Sequence, residues 1–261
     1  MIVDSELTDS DTLVIAFTNA SGKLSLPVQD FLIAAGLTSL SRIVIFDRSH
    51  RFCLGGFPPE VPTFFNFLDL LREKIRSVNP KRLIVVGASV GGYTALLMGH
   101  LLEADQVVVF GPWCCLDSEA LEKMGDPYLN REQRIVSKLA ALPPDIKDFL
   151  RLRSILSQSN RKTKFYLHVS RYNLWDYRRA LYLKGVPDLQ IIPHYYATHG
   201  LATALAKEGR LKNCFRFPYR RDKRLKYYYI LSRHLTRRCA RGLNRRLKAV
   251  CKKIVLRGKV Y

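Results

Sequence analysis

Short apolar runs recur along the first 206 residues, and helical patterns fill the gaps between them. The runs are residues 12–18 (TLVIAFT), 42–46 (RIVIF), 81–86 (KRLIVV), 106–110 (QVVVF), 164–169 (KFYLHV) and 189–195 (LQIIPHY). Each is rich in β-branched residues and apolar on both faces, which predicts strands of a buried parallel sheet. Turn-forming residues close the first four: Asn19-Ala20-Ser21-Gly22, Asp47-Arg48-Ser49, Gly87 and Gly111-Pro112. Residues 61–78 repeat Phe64, Phe67, Leu68, Leu71 and Ile75 at helical spacing. Helices are also predicted over residues 90–104 and 199–208. The alternation predicts a doubly wound, mostly parallel α/β sheet.

Residues 114–162 break that rhythm. They are mostly helical in pattern, with breaks at Gly125-Asp126-Pro127 and Pro143-Pro144. A helical insertion over the strand ends is expected there. Residues 1–210 then form the α/β domain, and residues 211–261 a basic helical extension.

Charge sharpens that division. The 261 residues carry a net charge of +21, but residues 207–261 hold 20 basic and 2 acidic side chains. The remaining residues hold 23 basic and 20 acidic ones. A nearly neutral body thus precedes a strongly basic tail. In the tail, Leu231, Leu235, Cys239, Leu243 and Leu247 recur every fourth residue among Lys and Arg. This is a basic amphipathic helix pattern. Residues 223–261 are expected to meet an anionic membrane surface, or to dock on their own domain. No sequence-reading nucleic-acid module is recognisable, so only nonspecific phosphate contact is expected from nucleic acid.

The six cysteines match neither a zinc module nor a disulfide scaffold, which favours a reducing compartment. The acidic N-terminus does not resemble a secretory signal. A cytoplasmic protein is expected, peripheral at the inner face of the membrane if the tail binds lipid. Residues 83–102 lack Asp, Glu, Lys and Arg and have the length of a membrane span. Their glycine cluster fits a buried strand, a tight turn and a buried helix better.

The chemistry centres on Gly87-Ala88-Ser89-Val90-Gly91-Gly92, between an apolar strand and an apolar helix. G-x-S-x-G in that setting is a nucleophile elbow. Glycines remove the clash that side chains would make around the strained serine. The N–H of Val90 and the helix N-terminus are suited to a developing oxyanion. The rival reading is a glycine-rich turn shaped for packing or for holding a phosphate.

A serine nucleophile needs a base, and the base an orienting acid. His199 lies in a loop just past the last predicted strand and is favoured over His194, which falls inside it. Asp176, after the fifth strand, is favoured as the acid. Asp117 is its competitor, and a helix-capping role is the alternative for Asp176 itself. The second oxyanion donor is expected from the loop after the first strand, at the N–H of Asn19 or Ala20. Asp47 is expected to close a turn. The loop holding Phe52, Cys53, Gly55 and Gly56 is suited to lining a pocket or to packing.

With Ser89, Asp176 and His199 in that order, the chain resembles the α/β-hydrolase superfamily over about residues 12–209. More narrowly, it looks like small bacterial hydrolase-like proteins encoded among surface-glycan and glycosyltransferase genes. Gly91-Gly92-Tyr93 and Phe110-Gly111-Pro112 carry that narrower likeness. The resemblance implies an esterase, thioesterase or acyltransferase with a Ser-His-Asp triad, no cofactor and no metal. It also implies an acylated small-molecule, glycan or lipid substrate. The competing function class is a noncatalytic scaffold of the same fold, tethered by its basic tail.

Overall fold

The computed structural model describes residues 2–49, 51–125, 139, 142–158 and 163–216. The amphipathic tail, residues 223–261, and the middle of the insertion lie outside them. A seven-stranded sheet runs in the order β1-β3-β2-β4-β5-β6-β7. The strands are β1 (Ile2–Glu6), β2 (Thr12–Phe17), β3 (Ser41–Phe46), β4 (Arg82–Ala88), β5 (Gln106–Phe110), β6 (Lys164–Ser170) and β7 (Leu189–His194). All pair in parallel except β1, which runs antiparallel along β3 at the edge.

The two-residue period of the strands divides the core. Leu13, Ile15, Phe17, Ile43, Val85 and Val109 face one side of the sheet. Val14, Ala16, Val44, Val86, Val108 and Phe110 face the other. Both faces are covered, which is why the runs are apolar throughout rather than alternating. The helices that cover them are α1 (Val28–Ala35), α2 (Phe64–Val78), α3 (Val90–Leu101), α4 (Ser118–Lys123), α5 (Pro144–Lys147), α6 (Leu152–Ser157), α7 (Leu174–Tyr182) and α8 (Leu201–Lys207). Helices α2 and α3 pack on the first face, α1 and α8 on the second.

Local signals set the helix ends. Helix α2 starts at Phe64 rather than residue 61, because the Thr63 hydroxyl caps it by accepting from the Asn66 N–H. It stops at Asn79, which is left-handed and precedes Pro80. Helix α1 was absent from the sequence expectations, yet it has a Pro27 entrance and a left-handed Gly36 exit. Helix α3 buries every residue from Gly91 to Gly99. Residues 83–102 therefore owe their apolar character to the protein core. Among the described residues, no helix is long and apolar enough to cross a membrane.

Two boundaries shift. Leu211, Cys214 and Phe215 form a 3₁₀ turn packed into the second core, so the body runs past residue 210. The insertion also does more than overlie strand ends. Its last helix, α6, packs against α3 as part of the crossover from β5 to β6. The Tyr93 hydroxyl fastens the 3₁₀ turn before α6 by donating to the Phe149 carbonyl.

Candidate active site

The order of the strands decides where a site can form. From β2 the chain moves outward to β3, then returns to place β4 on the other side of β2. A crevice opens at such a reversal, outside the carboxyl ends of the strands. Ser89 follows β4 at that point.

The elbow geometry matches its glycine spacing. Ser89 has φ 55° and ψ −121°, a region that costs a non-glycine residue about 1–3 kcal/mol. Three hydrogen bonds hold it there. Its N–H donates to the Phe110 carbonyl at 3.1 Å, and its carbonyl accepts from Gly92 and Trp113, both at 3.0 Å. A Cβ on Gly87 would sit 2.4 Å from the Gly91 carbonyl oxygen. A Cβ on Gly91 would sit 2.3 Å from the carbonyl oxygens of Phe17 and Thr18. The first glycine lets α3 cross the strand end; the second brings α3 against the loop after β2.

The candidate acid and base, Asp176 and His199, follow the two strands beyond β5. His199 lies in the loop between β7 and α8; Gly200, not His199, precedes the helix. The Ser170 hydroxyl fixes that loop by donating to the Thr198 carbonyl at 2.5 Å. His199 Nε2 is 3.0 Å from Ser89 Oγ. His199 Nδ1 is 2.9 Å from both carboxylate oxygens of Asp176. The Asp176 side chain is 5% exposed and that of His199 is 49% exposed, so the carboxylate is enclosed while the imidazole is half-exposed.

Asp176 is not the cap of α7. Asn173 is: its Oδ1 accepts from the Asp176 N–H, and its Nδ2 donates to Asp176 Oδ2 at 2.8 Å. The spacing Asn173-x-x-Asp176 carries the signal of this supporting contact, since it joins a cap to the third residue of the helix. Asp117 instead caps α4 by accepting from the Ala120 N–H, with Arg151 3.4 Å away. His194 pairs with buried His168, its Nε2 2.9 Å from His168 Nδ1. Thus the structure brings Ser89, His199 and Asp176 together and turns Asp117 and His194 elsewhere.

Gly111 makes room for the acid–base pair. It has φ 51°, and a Cβ there would lie 3.4 Å from Asp176 Oδ2 and from the His199 carbonyl oxygen. Arg179 stacks on Trp113, its guanidinium carbon 4.7 Å from the ring centre. The hydrogen bond that His199 Nδ1–H donates to Asp176 raises the pKa of His199 above 6.5; burial and Arg179 oppose that rise, and the carboxylate's charge adds to it.

The oxyanion candidates occupy different situations. Val90 heads α3. The Asn19 N–H is committed to the Lys23 carbonyl at 2.7 Å, and its side chain accepts from Ser21 and Lys23. Asn19 therefore knits its own loop. Ala20 lines a cavity of about 240 Å³ together with Val90 and Gly91. Cys114 and Cys115 are both free thiols, and burial pushes Cys115 up to about 11. Among the described residues, no cluster of three His, Cys, Asp or Glu side chains is placed to hold a metal ion.

No protein-family model matches this sequence, and no curated protein does. Solved structures do resemble it. The capsule O-acetyltransferase of Neisseria meningitidis serogroup A is similar over 79% of this chain and 87% of its own, with 15% identity and a TM-score of 0.52. A chain of the Glycosylation Associate Protein (Gap123) complex from Streptococcus agalactiae matches 84% of this chain over 45% of its own, with 16% identity and a TM-score of 0.54. A carboxylesterase structure from Nitrososphaera gargenis covers 79% of this chain and 90% of its own, with 13% identity and a TM-score of 0.50. At such identities the likeness is one of fold. The doubly wound sheet, the strand reversal and these neighbours agree: this chain has the α/β-hydrolase fold.

Proposed function

We propose that this protein is a serine acyl-transfer enzyme, acting on ester- or thioester-linked acyl groups by hydrolysis or by transfer to a hydroxyl. The observation that carries this reading is the run of hydrogen bonds from Ser89 through His199 to Asp176, at 3.0 and 2.9 Å. His199 Nε2 takes the Ser89 proton as Oγ bonds to the acyl carbon. The carbonyl π electrons move to oxygen, and the N–H groups of Val90 and Ala20 receive that charge. The tetrahedral adduct expels the alcohol or thiol, which leaves with the proton from His199. Water or an acceptor hydroxyl then repeats the sequence on the acyl-serine, giving its proton to His199, which returns it to Ser89. Asp176 holds the imidazole with Nδ1 protonated and supports its charged form.

Likeness to a capsule O-acetyltransferase and to a glycosylation-associated complex supports a glycan as acceptor or acyl carrier. The charge of the tail supports a second element of the proposal. Residues 223–261 draw the enzyme to an anionic membrane surface.

Labelling with a fluorophosphonate probe tests the chemistry. Wild type is expected to label at Ser89 and Ser89→Ala not to label; equal labelling of the two, or none of wild type, supports the scaffold reading instead. Flotation with anionic and neutral liposomes tests the tail. Equal recovery with both removes the electrostatic membrane proposal.

A further inference from the structure

The cavity beside the elbow has a composition that bears on the acyl group. It begins at Val90 and Gly91, next to Ser89, and takes its apolar walls from Phe17, Ile45 and Phe52. Its polar side chains are Thr18, Asp47, Cys53 and Thr94. Each of them already has a partner within the protein. The Thr18 hydroxyl donates to the Ile45 carbonyl at 3.2 Å. Asp47 Oδ1 accepts from the Ser49 N–H and hydroxyl at 2.8 and 2.5 Å. Its Oδ2 accepts from the N–H groups of Arg51 and Cys53, both at 2.9 Å. Thr94 lies beside the Cys53 thiol, its hydroxyl within reach as a donor, and burial keeps that thiol protonated. A sugar ring entering here would lose its hydration without gaining side-chain partners, at a cost per unpaired hydroxyl. An alkyl chain would lose nothing and bury apolar surface.

The wall itself is held under strain. Phe52 and Cys53 are consecutive residues with φ 57° and 60°. A non-glycine residue is strained in this region and persists there only where its surroundings fix it. Asp47 does the fixing, gathering three backbone N–H groups of the loop. Phe52 is also clamped between Tyr93 and Trp113, at ring distances of 5.4 and 5.6 Å. The loop is thus shaped and rigid, unlike a surface turn that merely joins two elements.

Size follows from the volume of about 240 Å³. An apolar cavity of about 150 Å³ holds benzene, with six carbons. In proportion, the space here takes roughly nine carbon-sized atoms, some of them at its mouth. An acetyl group would leave most of it unfilled, and a chain of about sixteen carbons would not fit.

We propose that this cavity is the acyl-chain site, and that Ile45, Phe52 and Cys53 select straight acyl groups of about four to eight carbons over acetyl and over long fatty acyl groups. This rests on the serine acyl-transfer reading and adds the class of acyl group to it. The acceptor or carrier then lies on the side where His199 faces the crevice.

The test uses the full-length chain and p-nitrophenyl esters from acetate to palmitate, with kcat/KM read for hydrolysis and intact mass for the acyl-enzyme. Each buried methylene is worth about fourfold. Hexanoate is therefore expected to exceed acetate by at least about tenfold, with a fall beyond about ten carbons. Ile45→Ala, which enlarges the cavity, moves the optimum to longer chains. Cys53→Met, which fills it, lowers the hexanoate-to-acetate ratio. Melting temperatures show whether each variant is folded, and the wild-type profile decides even if a variant is not. A wild-type preference for acetate, or a flat profile in a protein whose Ser89 labels with fluorophosphonate, overturns the acyl-chain site alone. Absence of fluorophosphonate labelling overturns the acyl-transfer reading and the site with it.

Discussion

Asp176→Asn perturbs the relay while keeping nearly the same side-chain volume. Asp176 accepts from two directions, Asn173 Nδ2 on Oδ2 and His199 Nδ1 on both oxygens. An amide has only one acceptor oxygen. Asn173 is a donor, so the oxygen of the new amide must stay at the Oδ2 position to avoid facing N–H against N–H. The amide NH₂ then occupies the Oδ1 position, 2.9 Å from His199 Nδ1. The amide oxygen at the Oδ2 position, also 2.9 Å from Nδ1, is already shared with Asn173, so the NH₂ is met without N–H facing N–H when Nδ1 gives up its proton and accepts. The proton moves to Nε2, which faces Ser89 Oγ at 3.0 Å and can no longer act as a base. A wrong tautomer of this kind costs a serine hydrolase about 10⁴ in kcat, and a loss of about 10³–10⁴ is expected here. At about 1.4 kcal/mol per decade, that is roughly 4–6 kcal/mol of transition-state stabilisation. The pH dependence adds a second readout. The His199 pKa is raised chiefly by its hydrogen bond to Asp176, and the base works only when neutral. In wild type the acid limb of kcat/KM should therefore lie above pH 6.5, and the residual activity of Asp176→Asn should have its limb at lower pH. The assay is the second-order rate of Ser89 phosphonylation across pH 5–9, with melting temperature as a control. A variant within threefold of wild type, with an unmoved acid limb, would refute the relay.

Other outcomes follow from the same geometry. Asp117→Ala should leave the rate of Ser89 labelling unchanged and cost about 1 kcal/mol of stability through the lost cap of α4, measured by urea unfolding. Gly91→Ala should slow labelling at least about tenfold and destabilise by about 1–3 kcal/mol, because its methyl meets the Phe17 and Thr18 carbonyls. Normal labelling in a folded variant would show that the loop after β2 does not need that close approach. His168 is buried with its pKa held well below 6.5 by desolvation, and by His194 to a lesser extent. The unfolded chain binds the extra proton, so this contribution is complete above about pH 6.5 and is lost as pH falls toward the folded value. His168→Gln should flatten the fall in urea midpoint between pH 7.5 and 5.5, and an unchanged slope would assign that fall to other groups. The raised His199 pKa acts with the opposite sign. Its pairing with Asp176 contributes most below pH 6.5 and is lost as pH rises through the folded value.

Much of the fold could be read before any coordinates. Each of the six predicted strands is present, because a strand buried on both faces needs an unbroken apolar run, and such runs are local facts. The elbow was legible as a pattern, and Gly87 is demanded by a local contact with Gly91, but Gly91 is demanded by the distant carbonyls of Phe17 and Thr18. Strand β1 was not. It is an edge strand that pairs with β3, its one strand partner among the described residues, and the pairing of Arg42 with Glu6 beside it joins residues far apart in sequence. The partner of His199 was only half legible. Asp176 and Asp117 both follow strands and both have the look of helix caps. Only the placement of Asn173 as the cap of α7 leaves Asp176 turned toward His199.

By itself, then, the sequence determined the period, the turns and the glycine spacing around Ser89, which are patterns among neighbours along the chain. It also separated a neutral body from a basic tail, which is a matter of counting charge. The tertiary structure decided what depends on distance between strands. It set Asp176, and not Asp117, against His199, bound the Asn19 N–H within its own loop, and wrapped Phe52 and Cys53 around a cavity whose polar side chains already have partners. Those choices were beyond the sequence because a carboxylate or an N–H has the same chemistry wherever it lies, and only the closing of the sheet settles which partner each one meets.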